Sequence, residues 1–151
     1  MKRFIIVLVL LITYSSLTPA QEIGKIIPIQ NAEQLFGKVT EEISIPLEQL
    51  KGYIAQSKTS VSFNIINRQL HVLGDGRKAI TSVSVDLGSR VQVHLFSKSI
   101  IEKFISITET RKLSTATTKI IILVQLRGDI LTISNGTDIL EYSQLCPPYC
   151  G

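Results

Sequence analysis

Cysteine is nearly absent from this 151-residue chain, and both copies, Cys146 and Cys150, fall within residues 146–151. None lies near residue 20, so a lipid-modified amino terminus there has no residue to attach to. Long apolar runs are lacking too. The longest, Phe4 to Ile12, is too short to cross a bilayer, which takes about 20 apolar residues as a helix. An excess of one charge is also missing. The formal net charge is +4, and it falls to +2 without Lys2 and Arg3. That balance excludes a nucleic-acid partner, because phosphate binding needs a concentrated basic face. The nearest approach, Arg77-Lys78 with Arg111-Lys112, is two short pairs suited to a solvated surface. No Gly-x-Ser-x-Gly elbow, phosphate loop, fixed-period repeat or low-complexity linker interrupts the chain.

What is present begins with an address. Lys2 and Arg3, the apolar run and the small residues up to Ala20 form the pattern of a secretory signal peptide. Residues 1–20 are therefore expected to be removed, placing the protein in the periplasm or outside the cell, with no transmembrane helix left after cleavage. Twenty residues removed from 151 leave 131, the length of one domain.

Within residues 21–145 the hydrophobic period changes several times. Ile23 to Ile29 reads as an extended entry at a sheet edge, since Pro28 lacks a ladder donor. Leu47, Leu50, Tyr53 and Ile54 share one helical face after Pro46, which predicts a short helix over 47–56. A second helix is expected over 99–108, capped by Ser97 or Ser99. Between them the period is two: Val61, Phe63 and Ile65, then Leu70 and Val72, then 82–87 and 91–95. Residues 119–126 form an apolar run expected of a central strand covered on both faces. Asn135-Gly136 marks a hairpin before a last strand at 139–142. The sum is a single α+β domain: an antiparallel sheet of about six or seven strands, with two short helices packed on one face.

Candidate chemistry is sparse. Export favours a disulfide between Cys146 and Cys150, across Pro147-Pro148-Tyr149, which would stiffen residues 146–151 by about 2 kcal/mol without holding up the domain. The spacing of Cys146, Pro147 and Cys150 resembles the Cys-Pro-x-x-Cys motif of the copper-delivering Sco-type thioredoxin-like proteins. That resemblance covers five residues and implies Cu(I) held by the two thiolates, or thiol–disulfide exchange. It does not carry the fold over, because here the motif follows a strand instead of opening a helix. His71 and His94 are expected on polar strand faces, away from the core. Glu41, Glu42 and Glu109 show no pairing, and Asp75, Asp129 and Asp138 sit at turns. No catalytic constellation assembles. Arg127-Gly128-Asp129 reads as a turn. Asn135-Gly136-Thr137 is a possible glycosylation acceptor. The function these features support is an exported, non-enzymatic binding protein. The polar face of 82–86 and 92–94 is the expected surface, and copper or thiol chemistry at Cys146 and Cys150 is the alternative.

Overall fold

Pro46 has φ −61° and ψ 145°, so it closes a strand and at the same time sets the first turn of the helix that follows. Such tight junctions recur through the computed structural model, which describes residues 22–81, 91–112, 119–141 and 143–146. The signal peptide expected at 1–20, the strand expected at 82–87 and Cys150 lie outside the described residues. Among those described, nine strands fall into two antiparallel sheets. The first holds β1 (Lys25–Pro28), β2 (Glu41–Pro46), β6 (Ile121–Arg127), β7 (Ile130–Ser134) and β8 (Asp138–Glu141) in the order β1-β8-β7-β6-β2. The second holds β3 (Ser60–Ile66), β4 (Gln69–Leu73), β5 (Val93–Ser97) and β9 (Gln144–Cys146) in the order β4-β3-β5-β9. The α+β antiparallel expectation holds, with the strands shared between two sheets instead of one.

Three helices complete the set: α1 (Ala32–Phe36), α2 (Leu47–Ile54) and α3 (Lys98–Lys112). The stripe of α2 is the one its sequence gives, with Leu47, Leu50 and Ile54 buried. Leu50, Ile101 and Phe104 then meet Val61, Phe63 and Phe96 of the second sheet and Ile122, Val124, Ile133 and Leu140 of the first in one core. The Ser97 hydroxyl accepts the Ile23 amide at 2.7 Å, and the Ser99 hydroxyl donates to Glu22 at 2.7 Å, which ties the chain entry to the start of α3.

The β3–β4 hairpin turns on Asn67 and Arg68, both at positive φ (53° and 60°), the backbone of a two-residue turn that matches strand twist. The β7–β8 hairpin is organised by Asn135, whose carboxamide oxygen accepts the Thr137 and Asp138 amides at 2.9 and 2.7 Å. Its Nδ2 donates to Thr108 of α3 at 2.7 Å, and Asp138 pairs with Arg111. The helix is thereby latched to the hairpin.

Candidate functional site

After Glu141 the chain crosses from the first sheet to the second, and Cys146 is the last residue of β9, opposite Val93. Cross-strand register puts His71, Asn64, Val93 and Cys146 in one row on one face of the second sheet. His71 and Cys146 are three strand spacings apart, about 14 Å between backbones, which is too far to share an ion. His94 sits in the neighbouring row and on the opposite face. Neither histidine stands beside Cys146, and no group of three or more His, Cys, Asp or Glu converges among the described residues.

Both histidines differ from expectation. His94 shares its face with Phe96 and Phe63 and is 6% exposed, so the phase of β5 is the reverse of the predicted one: Val93 and Leu95 take the other face. Its Nδ1 lies 3.1 Å from the Ser143 hydroxyl. Burial pushes the imidazole pKa below its usual value, partly offset by the charge of Asp129. Among the described residues, the ring's hydrogen-bond partner is the Ser143 hydroxyl and not the Asp129 carboxylate, whereas a general base is usually oriented by a third group. His71 does face away from the main core, but it is fully buried and both ring nitrogens lack partners.

The carboxylates are mostly committed to structure. Asp75 accepts the amides of Lys58, Thr59 and Ser60 at 2.5, 3.1 and 3.1 Å and the Thr59 hydroxyl at 2.5 Å, clasping the entry of β3 to the exit of β4. A cleft of about 310 Å³ beside it, lined by Lys58, Lys78 and Ile80 among others, therefore meets a carboxylate already saturated. The Thr59 hydroxyl, followed by the Lys58 amide, holds the Asp75 carboxyl well below the usual carboxylate range. A depressed folded pKa contributes stability above the unfolded value of 3.8, and that stability is lost as pH falls below it. Asp75→Asn is accordingly expected to cost about 1 kcal/mol at pH 7, the low end for a solvent-facing cap. In denaturation series, the gap to wild type should close between about pH 5 and pH 2. A gap that stayed constant down to pH 2 would show the clasp to be electrostatically idle.

Glu109 pairs with Lys51 and bridges α3 to α2. Asn135 is 8% exposed and its Nδ2 is spent on Thr108, so a glycan on that nitrogen has to displace the latch.

The chain's own sequence signals left one feature unassigned, the edge strand β2. It pairs only with β6 among the described residues, over the full register Glu41↔Leu126 to Pro46↔Ile121. The Leu47 amide donates to the Ile120 carbonyl, which fixes the parity of this ladder. Ile43 and Ile45 bond toward β6, while the amides and carbonyls of Glu42 and Ser44 point outward. Glu42 and Ser44 are exposed along that edge. The exposed large apolar side chains of the described residues are Leu35, Val39 and Ile121, at 56%, 39% and 41%. Val39 precedes β2 by two residues and Ile121 lies opposite Pro46 at its far end, while Leu35 belongs to α1.

A buried polar chain stands behind this edge. Arg127, 7% exposed, donates to the Gly37 carbonyl at 2.8 Å and to the Gln125 Oε1 at 3.0 Å. Gln125, 5% exposed, donates in turn to the Glu42 Oε2 at 2.7 Å. The Glu42 carboxylate is thus held in place at the surface by groups below it. No family model, curated protein or solved structure matches the chain.

Proposed function

We propose that this is an exported binding protein of the periplasm, cell envelope or extracellular space, one that works by presenting a surface to a partner and not by catalysis. The amino-terminal pattern of residues 1–20 supports export. The observation that carries the binding reading is the open edge of β2 among the described residues, with Val39 exposed two residues before it and Ile121 exposed opposite its last residue. An open strand edge presents unpaired main-chain groups to another chain, and exposed apolar side chains at its ends add to what a partner can bury. The test is recovery of a reproducible partner from the native envelope by the immobilised mature protein. Val39→Asp combined with Ile121→Asp should cut that recovery about fivefold or more, the effect of losing about 1 kcal/mol. Because both side chains are partly solvated, the thermal midpoint should hardly move. Undiminished recovery by the double variant would sink the reading.

The second reading, a copper or thiol-redox protein acting through Cys146 and Cys150, draws on one observation. Cys146 ends an edge strand of the second sheet. In an oxidising compartment these two cysteines pair by default. Thiol titration of the natively exported protein separates the two: no free thiol, and no Cu(I) retained after mild reduction and reconstitution, removes the metal.

A further inference from the structure

Strand β2 offers more than an apolar patch. Its outward amides and carbonyls, at Glu42 and Ser44, stand about 7 Å apart on a strand about 20 Å long. An apolar side chain stands near either end, Val39 before it and Ile121 beside Pro46. The charges on the strand itself are two carboxylates, Glu41 and Glu42. Glu42 is exposed and pre-positioned by the buried Arg127–Gln125 chain, whereas Glu41 takes the opposite face and its Oε2 is buried. Open edges are usually blunted, and Pro46 blunts only the last position of this one.

From this arrangement we infer that β2 binds an extended segment of another protein by strand addition, and that the segment carries a basic residue facing Glu42 and apolar residues toward its ends. The inference rests on the binding reading above and specifies its mode and its partner. Main-chain bonds to Glu42 and Ser44 supply affinity that is independent of side chains, while the Glu42 carboxylate and the two apolar ends select the sequence. A second copy of this chain fits poorly. Pairing β2 with itself would bring a second pair of glutamates to an edge that already carries two, and like charges across a strand pair oppose it.

The test uses a displayed library of random peptides of about seven residues, panned against the mature protein. Enrichment of alternating sequences with a central Lys or Arg is expected. The winning peptide, made synthetically, should slow hydrogen exchange at the Glu42 and Ser44 amides of the wild-type protein. Ser44→Pro removes an outward donor while leaving the β2–β6 ladder intact, and should weaken peptide binding about tenfold, as loss of one hydrogen bond plus steric blockage implies. Exchanging the central cation of the peptide for Glu should weaken binding about two- to fivefold at low salt. Unprotected Glu42 and Ser44 amides in the bound state, or enrichment of acidic peptides, overturn the inference. If Val39→Asp with Ile121→Asp abolishes binding while Ser44→Pro and amide exchange are unaffected, strand addition fails and the apolar-surface reading survives. Insensitivity to all of these changes removes both.

Discussion

Phe96→Ala should lower the stability of the domain by about 3–5 kcal/mol, the range for truncating a fully buried aromatic ring. Phe96 lies opposite Val61 and packs edge-on against Phe63, with ring centres 6.1 Å apart and planes at 64°. It also reaches the chain entry. A Cβ built on Gly24 would lie 3.1 Å from Phe96 Cδ1, 3.0 Å from Ile100 Cγ2 and 3.2 Å from Leu140 Cδ1. Gly24 has φ +117°, a conformation that glycine alone adopts readily, so the backbone there fills a slot whose wall is the Phe96 ring. Removing the ring opens a cavity touching the second sheet, the start of α3 and Leu140 of the first. Chemical denaturation should show a lower midpoint with an unchanged slope. Phe96→Leu, which keeps most of the volume, should cost under about 1.5 kcal/mol. A loss below about 1 kcal/mol for the alanine variant would mean that the two sheets do not share this core.

Asn135→Ala is the second large effect, at about 2–3 kcal/mol. The side chain is 8% exposed and makes three hydrogen bonds, accepting two amides of its own turn and donating to Thr108. Thr108 passes the connection on by donating to the Phe104 carbonyl at 2.8 Å. Truncation leaves two amides and one hydroxyl acceptor short of a partner in a buried place, which costs more than the bonds themselves were worth. At roughly 4 °C per kcal/mol for a domain of this size, the thermal midpoint should fall by about 8–12 °C. Asn135→Asp keeps both amide bonds and loses only the donor to Thr108. Its cost should therefore be smaller, and equal costs for the two variants would show the Thr108 latch to be the whole of the effect.

The two predictions also mark what the amino-acid order discloses and what it conceals. Elements were legible wherever a single period ran without interruption. Leu47, Leu50 and Ile54 gave α2, residues 119–126 gave the strand β6 but not its cover, since Ile121 on the outer face is 41% exposed, and Asn135-Gly136 gave the β7–β8 hairpin. Strand partners were not legible, because alternation tells which face a residue takes and nothing of which strand lies beside it. That is why one sheet was expected where two exist, and why β9 was missed: three residues are too few to show a period. The phase of β5 failed for a related reason. Val93, His94 and Leu95 alternate cleanly, but both faces of that strand are buried, and hydrophobicity chose the smaller cluster of Leu73, Val93 and Leu95 over the face shared with Phe96. The β2 edge was half visible, since Pro46 and the glutamates were plain in the sequence. The supporting Gln125 and Arg127 looked like ordinary members of a strand and a turn, and only their register across from Glu42 reveals the support.

The pairing of β1 with β8 matches Lys25 to Glu141, and β5 waits for β9 at residues 144–146. Each sheet is therefore completed by the last described part of the chain, and strands far apart in sequence are neighbours in both. Folding of such topologies is slow, because loop-closure entropy must be met before the distant strands compensate for it. A nascent chain emerging from the ribosome has most of both sheets in hand and can complete neither. Neither sheet can close until residues 138–146 have been made.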